Sequence, residues 1–113
     1  MIREMEEARH AAERGAILLA LKQGYDQEMV SVGSLSRALN MVASPMTAEG
    51  LQFSLSLLAD SEYIKIWRAK AMGQWRADRL NEVKPDTIMF ARLLPRGLRL
   101  IDGQIEADPL VTF

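Results

Sequence analysis

Between Leu35 and Ile66 the apolar residues of this chain change their period twice. Leu35, Ala38, Leu39 and Val42 recur at helical spacing, and Leu51, Leu55 and Leu58 do so again at i, i+4 and i+7. The link between the two runs, Ala43-Ser-Pro-Met-Thr47, is too short to be anything but a corner. Tyr63-Ile-Lys-Ile-Trp67 then alternates as a half-buried strand does. Two helices that meet at a tight turn and run directly into a strand admit few architectures, and a helix-turn-helix backed by β-structure is the simplest.

The flanking sequence extends that outline. Residues 2–23 read as one long helix, with Ile2, Met5, Ala12, Ala16 and Leu19 in a stripe that broadens at Ile17, Leu18 and Leu21, and with Gly24 as its C-cap. Its first half is highly charged, so residues 1–13 are expected to project from the domain or to pack on a second copy. Arg14 to Gln23 is the better first core helix. Gly24 to Val32 reads as a connector, and Ser34 as the cap of a helix from Leu35 to about Met41. Thr47 is the natural N-cap of the next helix, with Met46 placed to staple against Leu51. Thr87 to Leu93 is rich in residues that favour sheet, Pro95 suits the first turn of a short helix, and Gly103 can end it. Residues 104–113 look extended. Residues 69–86 are too long for a tight hairpin link, and either longer strands or a short helix carrying Met72, Trp75 and Leu80 would fill them.

The expected fold is therefore α+β: one domain over residues 1–113, a winged helix-turn-helix with a long N-terminal helix, an extended β-wing and a short C-terminal helix. Its core should include Leu18, Leu21, Leu35, Leu39, Leu51, Leu55, Leu58, Ile64, Ile66, Phe90 and Leu98. A chain of 113 residues, half of them hydrophobic, can build such a core without metal or disulfide.

The lack of cysteine excludes disulfides, thiolate zinc sites and thiol catalysis, and the lone His10 has no second imidazole with which to share a metal. No cofactor or metal is expected. Carboxylate pairs exist at Glu6-Glu7 and Asp60/Glu62, but adjacent acids do not make an acid/base site, and no glycine-rich phosphate loop follows a strand. The chain does not read as an enzyme. No apolar run reaches membrane-spanning length and the acidic N-terminus does not suit a signal peptide, so the expected location is the cytoplasm, with no membrane partner.

The segment Ala91-Arg-Leu-Leu-Pro-Arg-Gly97-Leu98-Arg-Leu-Ile101-Asp-Gly103 is similar to the strand-to-helix ending of many winged-helix proteins, written loosely T-x-x-G-L-x-x-A/I-x-G. With Ser34 to Leu39 and Met46 to Ile64, the arrangement resembles small winged-helix proteins encoded in Mu-like prophages, often described as relatives of the arsenic-repressor type of regulator. The matching pieces span most of residues 14–103. The resemblance implies the fold, and through it a DNA-binding regulator of phage or bacterial origin. Three departures stand out. Glu62 occupies a position where glycine is usual, the wing carries an insertion, and the repressor's thiolate metal site has no counterpart.

Charge is distributed unevenly along a chain of net charge −1. Residues 1–62 hold five basic and nine acidic side chains, residues 65–99 nine basic and three acidic, and residues 100–113 three acidic ones. The basic field thus belongs to the wing. Placing Leu51, Leu55 and Leu58 inward turns Glu49, Gln52, Phe53, Ser56 and Asp60 outward, a face without a single cation. On it Gln52 could read adenine and Thr47 could touch a phosphate. In the wing, Arg68, Lys70, Arg76 and Arg79 stand among Trp67 and Trp75, a mixture compatible with backbone contacts or stacking. Trp67 is expected to anchor the hairpin to the core, with Trp75 an even choice between anchor and partner contact. Phe53 is expected to lie under the wing, the tail or the N-terminal helix; uncovered, it would mark a protein contact. Two functions follow as expectations: a homodimeric winged helix that binds double-stranded DNA mainly through its wing, or a winged-helix module that binds a protein partner.

Overall fold

The computed structural model describes residues 2–25, 29–42, 46–69 and 86–113, with the side chains of residues 2–4 outside the description. The long periodic stretch at the start forms α1 (Ile2–Gln23), which ends where the Gly24 and Tyr25 amides donate back to Leu21 and Lys22. There follow β1 (Val30–Ser31), α2 (Val32–Met41), α3 (Ala48–Asp60), β2 (Ile64–Arg68), β3 (Ile88–Leu93) and α4 (Pro95–Ile101). The three strands form one antiparallel sheet in the order β1-β3-β2, so the fold is α+β. Among the described residues no helix is long and apolar enough to cross a membrane.

Two expectations near α2 are corrected. The stretch Gly24 to Val32 is not only a connector, because Val30 and Ser31 pair with Ala91 and Phe90 as a short third strand. The helix also starts earlier: Ser31 is its N-cap, and its hydroxyl accepts from the Ser34 amide at 3.1 Å. Either serine suits a cap by residue type, and a two-residue strand is too short to show alternation. Thr47 caps α3 in the same manner, accepting from the Gly50 amide at 3.0 Å, and Met46 packs against the core that contains Leu51.

The core gathers Leu18 and Leu21 of α1, Leu35 and Leu39 of α2, Leu51, Leu55 and Leu58 of α3, Ile64 of β2 and Ile88, Ala91 and Leu93 of β3. Ile66 and Leu98 are partly buried against it. Phe90 is not a core residue. Ile66 faces Ala91 and Trp67 faces Phe90, but Arg68 faces Ile88, so Met89 is an extra residue in β3. This bulge resets the alternation: Ile88 points inward, while Phe90 lies on the outer face of the sheet.

α3 ends in a left-handed turn. The Tyr63 amide donates to Leu58 and the Glu62 amide to Ala59, a Schellman arrangement in which Glu62 takes φ +64°. The end of α4 repeats it with glycine: Gln104 donates to Arg99, Gly103 to Leu100, and Gly103 has φ +72°. This chain thus holds a β-carbon in a left-handed conformation at position 62, where glycine would be free of strain. Gly97 is constrained differently, because a methyl at its α-carbon would overlap the Tyr63 carbonyl oxygen as α4 crosses the start of β2.

Residues 104–113 lack helix and strand, yet they are bound along their length. The Tyr63 hydroxyl donates to Asp108 Oδ2 at 2.7 Å, Arg14 Nε donates to the Leu110 carbonyl at 2.6 Å, and the Thr112 amide donates to the Ala11 carbonyl at 3.0 Å. Val111 is buried, and Gly15 admits the Thr112 backbone where any β-carbon would collide with it. The tail therefore meets α1 from Ala11 onward, within the stretch expected to project. Burial first, and then the hydrogen bond to Asp108, raise the Tyr63 phenol above its ordinary pKa.

Glu62→Gly removes the left-handed strain at the end of α3 and is expected to raise stability by about 0.5–1 kcal/mol in urea denaturation, with unchanged circular dichroism. Because the folded-state pKa of Tyr63 is raised, its contribution is complete below the unfolded value near 10 and is lost as pH rises through the folded value. Stability measured from about pH 9 to pH 12 should fall, and the fall should be shallower in Tyr63→Phe.

Candidate nucleic-acid and partner interfaces

Of the residues expected to contact nucleic acid, Gln52 is turned away from that role. Its side chain is half-buried against β3: Nε2 donates to the Ile88 carbonyl at 2.9 Å, and Oε1 accepts from the Ile88 amide at 2.8 Å. Ile88 lies just beyond the part of β3 that pairs with β1, so the amide of Gln52 stands where two further residues of β1 would have bonded. The expectation of an outward-facing Gln52 is corrected for that reason. A glutamine flanking the apolar stripe of a helix looks identical whether it faces water or a strand, so the sequence carried no signal of this bond.

The rest of the exposed α3 surface keeps its expected character. Glu49 and Asp60 are exposed, Ser56 is half-buried, and no cation stands among them. Thr47 is exposed, with its hydroxyl oxygen engaged as the cap of α3. Phe53 departs from expectation. It is 64% exposed, covered by neither the tail nor α1, because both stand across a groove from it. That groove, about 680 Å³, runs between the first half of α3, residues 7–14 of α1 and Pro109-Leu110 of the tail. Arg14 lies at its inner end, only 8% exposed. His10 on its rim pairs with Glu13 at 3.0 Å.

The β2–β3 hairpin presents a second surface. Arg68 is exposed, and its Nη1 donates to the Asp86 carbonyl across the hairpin at 2.9 Å, where Asp86 turns the chain with φ +70°. Trp67 is not a core anchor. Alternation puts it on the outer face, opposite Phe90, with the Lys65 ammonium 5.1 Å from its ring centroid. Lys65 in turn faces Arg92 directly across the strands, both exposed. Like charges so placed repel, and no carboxylate among the described residues lies within ion-pair distance of either. Lys65 was readable as outward from its place between Ile64 and Ile66; its pairing with Arg92 depends on the register. Lys70, Trp75, Arg76 and Arg79, with most of the extended wing, lie outside the described residues. Among the described residues no three His, Asp or Glu side chains gather as a metal site would require.

Gln52→Leu keeps the bulk of the side chain but leaves the buried Ile88 amide and carbonyl unpaired. It is expected to cost about 2 kcal/mol in urea denaturation. Ser56→Ala, on the exposed side of the same helix, should change stability by less than about 0.5 kcal/mol.

Compared with known proteins, this chain matches no family model, no curated protein sequence and no solved structure.

Proposed function

We propose that this chain is a winged-helix DNA-binding protein that grips the duplex backbone through its sheet and wing and reads little or no sequence with α3. The order α1-β1-α2-α3-β2-β3-α4, with β3 central in an antiparallel sheet, supports the winged-helix assignment. In that scheme α2 and α3 are the helix-turn-helix and the β2–β3 hairpin is the wing. One observation carries the functional reading: Lys65 and Arg92 stand opposite each other on the outer face, and no carboxylate among the described residues lies within ion-pair distance of either. A polyanion supplies the missing counter-charge, and phosphate contacts of this kind fix affinity without encoding sequence. The α3 face lacks cations and Gln52 is engaged by Ile88, so base readout has little to work with. A cytoplasmic regulator of prophage or bacterial type is the role consistent with this reading and with the resemblance carried by Met46 to Ile64 and Ala91 to Gly103.

A second reading has its own observation. The exposed Phe53 beside an open groove favours a protein-interaction module in which α3 meets a polypeptide rather than a base pair.

A fluorescence-anisotropy titration against mixed-sequence duplex DNA at several salt concentrations separates the two. The DNA reading expects salt-sensitive binding of similar strength for all sequences. In Lys65→Ala/Arg68→Ala/Arg92→Ala it expects weaker binding, with a salt slope smaller by about one unit per lost phosphate contact. Absence of binding at low salt would hand the assignment to the interaction module. Sequence-selective binding that survives the triple substitution would show that α3 reads bases after all.

A further inference from the structure

We infer that the outer face of the β2–β3 hairpin is a seat for unpaired bases, and that the protein binds single-stranded DNA there by stacking a base on Trp67. The inference rests on the DNA-binding function proposed above and extends it from the backbone of the nucleic acid to its bases.

Alternation divides the hairpin cleanly. Ile64 of β2 and Ile88, Ala91 and Leu93 of β3 join the core that α1, α2 and α3 complete, which leaves Lys65, Trp67, Phe90 and Arg92 on the opposite face. There Trp67 and Phe90 face each other, both half-buried, and Lys65 and Arg92 face each other, both exposed. The indole is within reach of solvent-side groups: Lys65, an exposed side chain, holds its ammonium 5.1 Å from the Trp67 ring centroid. Where an ammonium lies over the ring a flat base can lie too, because both approach the same π-face.

The exchange favours the base. An exposed cation–π contact contributes less to affinity than a base stacked on an aromatic ring. The displaced ammonium also gains a use. Lys65 faces the like charge of Arg92, and no carboxylate among the described residues lies within ion-pair distance of either, so a phosphate satisfies both. Two residues along a strand separate the cation pair from the aromatic pair by about 7 Å. That is close to the reach from a base to the phosphate of its own nucleotide, so a single strand engages rings and cations together. In a duplex the bases are stacked on one another, and the cations alone can bind. Stacking on an aromatic ring tolerates any base, which agrees with an α3 face without cations and a Gln52 engaged by Ile88.

The chain has two tryptophans, so Trp75→Phe leaves Trp67 as the sole indole reporter. Mixed-sequence DNA of about 12 nucleotides, single-stranded or as a duplex of the same length, is titrated near physiological salt. The single strand should bind about tenfold or more tightly than the duplex, and should quench Trp67 fluorescence at saturation. Trp67→Leu keeps an apolar side chain without a π-face. It should lose the single-strand preference while retaining duplex binding and its circular dichroism spectrum, and Trp67→Phe should restore part of the preference. An unquenched Trp67 at saturation, or duplex binding at least as tight as single-strand binding, overturns the inference and leaves the DNA-binding function standing. So does a single-strand preference that Trp67→Leu leaves intact. Binding to neither form at low salt overturns both.

Discussion

A single side-chain amide sets how α3 lies on the sheet. Gln52 bonds both polar groups of Ile88, behaving as a short piece of strand at the edge of β3 where β1 has already ended. The bond fixes the rotation of α3 about its own axis: Leu51, Leu55 and Leu58 stay in the core, and Phe53, the next residue round the helix, is carried to the open side. It also holds β3 at its bulge. With Ile88 tied to α3 and Ala91 paired with Ile66, the extra residue Met89 must be absorbed between them, and everything on the outer face takes its position from that. Trp67 meets Phe90 and Lys65 meets Arg92 because the register beyond the bulge is fixed.

The tail plays a similar part on the other side of the molecule. Asp108 receives the Tyr63 hydroxyl and the Leu110 amide, Arg14 donates to the Leu110 carbonyl, and the Ala11 carbonyl accepts from the Thr112 amide. The bonds from Tyr63 and Arg14 are part-buried, so some of their worth lies in the desolvation penalty avoided. Their consequence is geometric. The tail borders the groove with Pro109 and Leu110, so that the exposed Phe53 and residues 7–14 of α1 stand along one cleft.

The two surfaces differ in chemistry. One is an open groove whose walls mix Met46, Phe53 and Leu110 with Glu7, Arg9, His10 and Glu13 of α1; the other is a sheet face on which two cations oppose each other beside an aromatic pair.

Helix and strand existence was legible in the residues, because periodicity is a local property: α1, α3, β2, β3 and α4 lie within a residue or so of where their apolar spacing, Thr47, Pro95 and Gly103 put them. The core leucines of α1, α2 and α3 and Ile64 of β2 were legible for the same reason. The departure at Glu62 was visible as a missing glycine, although its meaning, a left-handed residue in a Schellman turn, came only with the backbone. What the sequence could not contain were facts about pairs of distant residues. The two-residue strand at Val30, the bulge at Met89 that moves Phe90 outward, the bond from Gln52 to Ile88 and the encounter of Lys65 with Arg92 each depend on which segment lies beside which. No residue type or spacing encodes such a neighbour. The tertiary structure decides it, because burial of the whole core selects one mutual arrangement of elements that local preference leaves free.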